Sequence, residues 1–490
     1  MPYVGYNAWN FNIYALIAQN YNRFGFLHTH FAPVISVAQT LPVQPEYYLN
    51  HPPLLSVLVA LVFRIIGESF LSGRFVNISV SFFSCLLLFF IAKDLKGGRY
   101  ALIVFIVSAL LPASVLFGRM IGQESLVLFF ALSGVLAFLE FEKKKKKWIF
   151  FIAVLTIILG TLTDWAMVYF TASFSIFLFR LRKGLLALIV TGVSILTAIS
   201  YVGFVYLTSG DVSFLLSGFF NRSTGGLVLK QNFGIIWMST IATRILIYFN
   251  PIFSALALLF ALKYRRATSK KLSFLIGSLF LFGLIHISLY PEGSYGHPYW
   301  LYYLFPSIVL ASSVVIESVF EKRRWIVYCL IVFSVVYTLS VIHWKTKEVA
   351  GNIFRYQLAE VASTHFIPFQ TITLNRDGVI DPDIFQYSFH HPTSIFESGD
   401  VPEEGEFSSG SVISCIASCG EKKLIKVLKK NHSAVRYIGK DVEMWVFQGQ
   451  ETTSQSVVTT KIAISLPKPS QSFFSHLYRT ILQLTTAPQL

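Results

Sequence analysis

The chain has 490 residues, 54% of them hydrophobic and 16% aromatic, with a formal net charge of +15. Only 13% are charged, roughly half the share of a soluble domain, which excludes an ordinary water-soluble protein. The positive residues sit in short loops between apolar runs, a placement that sets membrane topology and argues against a nucleic-acid-binding face.

Residues 1–50 are polar and aromatic and lack the charged-then-apolar opening of a cleavable leader. In GYNAWNFNIYALIAQNYNRFGFL (5–27), Tyr14, Ile17 and Tyr21 recur at helical spacing among Asn and Gln, including Asn10. That pattern predicts an amphipathic helix in the membrane interface. PEYYLNHPPLL (45–55) flanks a tyrosine pair with Glu46 and His51. The run 53–66 is apolar but only about 14 residues long and broken by Arg64, short for a span. It reads as a second surface helix behind the rigid Pro52-Pro53 step.

Ten apolar runs then follow, at 74–92, 100–117, 125–141, 148–162, 165–180, 185–207, 236–262, 272–290, 299–319 and 325–342, each near the length that crosses a bilayer. Alternate loops between them contain nineteen Lys and Arg, against three (Arg119, Arg222 and Lys230) in the others. This asymmetry places the lysine-rich loops in the cytoplasm. Residues 1–73, 118–124, 163–164, 208–235, 291–298 and everything after 343 are then external.

A transporter hides ionisable groups at mid-membrane, whereas these runs contain little beyond Arg244 and His286, and no inverted repeat is evident. The unusual polar residues gather instead at outer mouths. FGRMIGQESLVLFF (117–130) holds Arg119 and Glu124 in a loop barely long enough to turn, which predicts both at the bilayer surface. LTDWAMVYF (162–170) holds Asp164, and YPEGSYGHPYWLYYLFP (290–306) holds Glu292, His297 and Tyr299. Taken singly, the aromatics are interfacial anchors, Asp164 is a helix N-cap, and Arg119 with Glu124 is a surface ion pair. Together with the two N-terminal stretches they make five clusters on one side, which points to chemistry at the outer face.

After residue 343 the composition is that of soluble protein. TITLNR, SVISCIAS, AVRYIG and VEMWVFQ read as strands and EKKLIKVLKKN as a helix, which predicts a small α/β domain over 344–450. Residues 451–490 read as a polar linker followed by SFFSHLYRTILQL, a candidate interfacial helix. Cys85 and Cys329 lie in apolar runs as filler, and Cys415 and Cys419 are close enough in sequence for an external disulfide.

The order of HPPLL (51–55), Arg74, GRMIGQE (118–124), TDW (163–165) and HPYWLYYLFP (297–306) resembles the GT-C glycosyltransferases. The similarity is to family 39, the protein O-mannosyltransferases and lipid A aminoarabinose transferases. It implies an α-helical polytopic membrane protein with about ten spans, external interfacial helices over 1–73, a catalytic membrane domain over 74–343 and the small tail domain. It also implies transfer of a sugar from a polyprenyl-phosphate (dolichyl-phosphate-type) donor to a lipid, glycan or protein acceptor at the outer face of the cell membrane, with inversion at the anomeric carbon. In that reading Glu124 or Asp164 is the catalytic base, Glu124 ahead of Asp164. Asn10, Tyr14, Glu46, His51, Arg74, Arg119, Arg222, Arg244, His297 and Tyr299 bind substrates. Family members carry an acid in the first external loop, as base or metal ligand, where this chain has Asn10 and Phe11; an amide cannot take a proton at neutral pH. No cofactor is specified, and a divalent cation stays open. Family members also place a span before that loop, and residues 1–50 contain no such run. A non-catalytic lipid-glycan binder of the same fold and a transporter or flippase are the alternatives.

Overall fold

The computed structural model describes residues 8–224, 232–350, 353–375, 380, 382–396, 411–416, 425, 434–438, 442–447 and 457–461. They form two compact units, one of the described residues within 1–48, 63–70 and 345–471, the other of those within 49–62 and 71–344.

The second unit is helical. All ten apolar runs form helices. Among the described residues, six helical segments are long and apolar enough to cross a membrane: α3 (Phe70–Lys96), α6 (Gln123–Lys144), α9 (Gly184–Ser209), α13 (Lys270–Leu289), α15 (Phe305–Lys322) with the 3-10 turn Pro298–Leu304 before it, and α16 (Arg324–Ala350). Two more are bent pairs, and α7 (Lys147–Thr161) and α8 (Ala166–Arg180) are shorter apolar helices of 15 residues. The run 53–66 becomes α2 (Leu54–Ile66), 13 residues.

The runs at 100–117 and 236–262 form the bent pairs, each a span broken near its middle or end. α4 (Gly98–Leu110) meets α5 (Pro112–Gly118) at 61°, and α11 (Phe233–Phe249) meets α12 (Pro251–Leu259) at 106°. Proline opens the later helix of each pair, where its missing N–H does no harm but the preceding helix must stop. At the sharper bend Asn250 adopts φ 64° and caps the new helix by accepting from the Ile252 N–H at 3.0 Å. The polypeptide then runs through a π-helical turn, Phe260–Tyr264, into the lysine-rich loop before α13.

Ion pairs show which loops share an end. Asp94 in the last turn of α3 pairs with Lys143 at the end of α6, Glu142 with Lys271 and Lys183, Lys96 with Glu317, and Arg99 with Glu321. Lysine-rich loops from five parts of the chain therefore meet at one end of the bundle, as the sequence pattern requires.

In the first unit, α1 (Ala8–Phe24) buries Tyr14 to Tyr21 almost completely and packs on α18 (Pro382–Phe389). The expected interfacial helix is thus a core helix of a folded unit. Its polar residues are used internally: Asn20 Nδ2 donates to the Val34 carbonyl at 2.9 Å, and Gln19 donates to Glu68. α17 (Ile353–Ser363) covers a mixed six-stranded sheet of order β2-β1-β3-β5-β4-β6. Its strands are β1 (Ile372–Asn375), β2 (Thr393–Phe396), β3 (Ser411–Ile416), β4 (Ala434–Ile438), β5 (Val442–Phe447) and β6 (Val457–Lys461). β1 runs parallel to β2 and β3, β5 antiparallel to β3 and β4, and β6 parallel to β4. The four expected strands are present. The expected helices at 421–431 (Ile425 apart) and 472–484 and the Cys415–Cys419 pair lie outside the residues whose side chains are described.

Candidate active site

At the end of the bundle away from the lysines, three loops are tied by hydrogen bonds. The segment before α2 contributes His51, whose Nδ1 lies 2.9 Å from Asp164 Oδ1. The turn after α7 places Asp164: its own N–H, like that of Thr163, returns to the Gly160 carbonyl, and its Oδ1 accepts from the Trp165 N–H at 2.7 Å. Tyr303, in the 3-10 turn, donates to Oδ2 at 3.4 Å. Trp165 Nε1 donates to the Asn50 carbonyl and Tyr201 of α9 to the carbonyls of Leu49 and His51. HPPLL and TDW, 113 residues apart, are therefore one structure. Asp164 does not cap a helix in the ordinary way, since α8 begins without a side-chain cap.

Burial raises the Asp164 pKa and the His51 charge and hydrogen bond lower it; the second influence prevails, holding the carboxyl below the usual carboxylate range. Asp164 is thus a charged group already supplied with donors.

Glu124 differs. It lies in the first turn of α6, 4% exposed, with Oε2 buried and without a partner among the described residues. The surface location expected for it is corrected: the loop between α5 and α6 folds inward. Asn77 of α3 holds that loop by donating to the Gly122 carbonyl at 2.6 Å, one turn beyond Arg74 on the same helix. A Cβ on Gly122 would stand 2.6 Å from Glu124 Oε2, so only glycine leaves the carboxyl its place. Glu124 and Asp164 interact electrostatically. Arg119 ends α5 half-buried and has no ion-pair or hydrogen-bond partner among the described residues, so the surface pair with Glu124 does not form. Burial lowers its pKa from the ordinary value.

A second group of polar residues adjoins the first. His286 of α13 is 5% exposed, and neither ring nitrogen has a hydrogen-bond partner. Tyr169, Tyr290, Trp300 and Tyr303 box it, with ring centroids 4.7 to 6.0 Å away. Arg244 of α11 is buried and donates to the Ser294 carbonyl at 2.8 Å. His297 accepts from or donates to Tyr299 Oη at 3.0 Å. Burial, together with the nearby charges of Arg222, Arg244 and His51, pushes the His297 pKa down to about 4. Gly293 lets the Trp300 ring approach, as a Cβ there would meet it at 2.2 Å.

The structure therefore brings together His51, Glu124, Asp164, Arg222, Arg244, His297 and Tyr299, with Arg119 beside Glu124 in sequence. Asn10, Tyr14 and Glu46 belong to the other unit, where Tyr14 is core and Glu46 exposed, its backbone tied to Ser36 and Ile35. His286, Tyr303 and Asn77 are additions that motif reading did not select; a lone imidazole in an apolar helix was the one signal available. Lys230 lies outside the described residues. Among the described residues no group of three or more His, Cys, Asp or Glu could hold a metal ion.

This is a multi-pass membrane protein with a buried polar cluster at the end opposite its lysines. Residues 50–206 match the family described as dolichyl-phosphate-mannose-protein mannosyltransferase. ArnT from Cupriavidus metallidurans bound to undecaprenyl phosphate is similar in structure, with a TM-score of 0.63 at 10% identity, over 91% of this chain and 94% of that one. Its apo state gives 0.57 at 11% identity, over 89% and 93%. Archaeal oligosaccharyltransferase AglB from Archaeoglobus fulgidus, in complex with an inhibitory peptide and a dolichol-phosphate, gives 0.49 at 12% identity over 91% and 71%, too low to add weight. None of the curated proteins matches. The chain has the fold of the GT-C glycosyltransferases, and the family-39 resemblance holds; HPPLL, Arg74, GRMIGQE and TDW all fall within the matched stretch.

Proposed function

We propose that the protein is a glycosyltransferase that moves a sugar from a polyprenyl-phosphate donor to a lipid, glycan or protein acceptor at the outer membrane face, where the C-terminal region also lies. The observation that carries this reading is the contrast between the two buried carboxyls of the cluster: among the described residues Asp164 has its donors, while Glu124 keeps one oxygen unpartnered. A buried acceptor oxygen without a donor is unfavourable by about 1–3 kcal/mol, and an acceptor hydroxyl would supply that donor.

Glu124 is then the general base. The acceptor oxygen attacks the anomeric carbon as its proton passes to Glu124. The bond from that carbon to the phosphate oxygen breaks, and the departing polyprenyl phosphate takes the electron pair. One displacement inverts the configuration. Arg119, with an unpaired guanidinium, meets the phosphate; Arg222 and Arg244 add positive potential. Asp164 and His51 act as positioning residues that hold the three loops.

The test is transfer from a polyprenyl-phosphate-linked sugar by purified wild type and Glu124→Gln. Loss of turnover with the protein still folded supports the assignment, and turnover equal to wild type overturns it. A lipid-glycan binder without turnover is favoured by one residue, Asn10, which stands where the resemblance implies an acid; it would bind the donor yet release no polyprenyl phosphate.

A further inference from the structure

The transfer step leaves one buried polar group without a role. His286 lies in the last turn of α13, and among the described residues neither ring nitrogen has a hydrogen-bond partner. The ring centroids of Tyr303, Trp300, Tyr290 and Tyr169 stand 4.7, 4.9, 5.7 and 6.0 Å from it. A close approach of two segments builds this box. A Cβ on Gly283, one turn before His286, would stand 2.6 Å from the Leu304 side chain, so the turn carrying Trp300 and Tyr303 closes directly on α13. An imidazole with both nitrogens unsatisfied is less stable there than a phenyl ring of similar size. A ligand that completes it supplies the reason for a histidine.

The chemistry of the ring narrows what that ligand is. A neutral imidazole offers one N–H and one lone pair. A phosphate diester only accepts, an ammonium only donates, and a lipid chain does neither. A hydroxyl does both. The box adds aromatic faces, whose negative potential suits the C–H groups of a sugar ring. Of its four members, Tyr169 and Tyr290 reach the surface, while Trp300 and Tyr303 are buried. The hydroxyls of Tyr169 and Tyr290 pair at 2.5 Å. The pair has two O–H groups and uses one internally, which leaves the other for a ligand entering on that side. Tyr303 ties the box to the carboxylates, since its hydroxyl donates to Asp164, which interacts electrostatically with Glu124.

We infer that His286 hydrogen-bonds a hydroxyl of the donor's sugar, with the Tyr169–Tyr290 pair meeting a second hydroxyl at the entrance. The inference deepens the proposed function and rests on it for the identity of the donor. It divides the work among three side chains: Arg119 meets the phosphate, Glu124 takes the acceptor proton, and His286 reads the sugar. A site built to hydrogen-bond a hydroxyl discriminates against a ligand that lacks it, so His286 determines specificity.

The test measures binding to the purified full chain. The probes are undecaprenyl phosphate and undecaprenyl-phosphate-linked glucose, mannose, N-acetylglucosamine and arabinose. Wild type should bind at least one sugar-bearing lipid more tightly than the bare lipid phosphate. His286→Phe should reduce that preference about tenfold and leave the affinity for undecaprenyl phosphate unchanged. His286→Gln, which can still donate and accept, should recover part of it. Without ligand, His286→Phe should melt above wild type, because it removes two unsatisfied atoms; a histidine kept for structure alone would make it melt below. The inference is overturned if wild type prefers none of the four sugars, or if His286→Phe keeps the preference, in which case only water meets the ring. Equal loss of affinity for the bare lipid phosphate, or a lower melting temperature in His286→Phe, overturns it as well. These measurements do not use turnover, so they separate from the test of Glu124. Sugar-dependent binding through His286 without transfer would sink the transferase reading and keep this one. Transfer by His286→Phe at the wild-type donor KM would do the reverse.

Discussion

The two ends of the helical unit hold their charges in opposite ways. At the lysine-rich end, pairs such as Arg99–Glu321 and Lys183–Glu142 lie in or near solvent, at 3.3 and 3.7 Å. Such pairs contribute about 0–1 kcal/mol each; their value is topological. At the other end Glu124, Asp164 and His286 are each under 7% exposed, and two of the three keep polar atoms without partners. Stability alone would replace them with apolar residues. On the proposed reading, this is the end where chemistry, not topology, set the sequence.

The sharpest way to break this contrast is through turnover. Glu124→Gln removes the proton acceptor while leaving the shape of the side chain, and should lower transfer by about 10²–10⁴-fold. Arg119→Gln should act on the donor, lowering kcat/KM for the polyprenyl-phosphate sugar with little change in thermal stability, since Arg119 has no partner to lose. Steady-state kinetics on both variants check this. Equal losses on neutralising Arg99 at the opposite end would erase the distinction.

Next in size is Asp164. Asp164→Ala strips the partner from His51 and Tyr303 and should destabilise the fold by about 3 kcal/mol, whereas Asp164→Asn keeps hydrogen bonding and should lose less. Because the Asp164 carboxyl titrates below its ordinary range when folded, its contribution is fully present above the unfolded pKa, about 4. It fades only as pH falls through the lower folded value. Melting curves of wild type against Asp164→Asn should therefore differ by a constant amount from pH 5 to 8 and converge only in strong acid.

Much of the helical unit was legible in the sequence because bilayer hydrocarbon imposes one length and one composition on every crossing segment. Hydropathy could not show the bends at Pro112 and Pro251, since a broken helix and a straight one have the same composition. Lysine counting grouped the loops by end, and the Lys143–Asp94 and Lys271–Glu142 pairs record that grouping in side-chain contacts. The site was legible as residue types and less so as roles. Nothing local distinguishes Asp164, saturated by His51 from 113 residues away, from Glu124, left unpartnered by the inward fold of its loop. α1 misled for a related reason: its Asn and Gln signal an interfacial helix, yet they find partners inside a unit shared with residues near the C-terminus. Long-range satisfaction of polar groups leaves no periodicity to read.

A smaller effect sharpens the comparison through pH. His297 is pushed down to about 4 when folded, against about 6.5 unfolded. Between those values the unfolded chain binds the extra proton, so stability rises with pH across this window and is flat above it. His297→Gln should flatten the slope between pH 4 and 6.5, by roughly 1–3 kcal/mol at the acid end. Thermal melts across that window measure it, and an unchanged slope would show that the imidazole is accessible to water.

The smallest expected effect is at the lysine-rich end. Arg99→Ala removes an ion pair whose side chains are 61% and 58% exposed, so it should shift stability by under about 1 kcal/mol and leave sugar transfer unchanged. Added salt should leave even that small difference smaller, because exposed charges are screened within about 10 Å at 0.1 M. The same salt should barely touch the difference between wild type and Asp164→Asn, whose contact with His51 is shielded from solvent. A salt titration of the two differences side by side therefore separates charges kept for topology from charges kept for the site. If both respond alike, the burial contrast between the two ends has no energetic content.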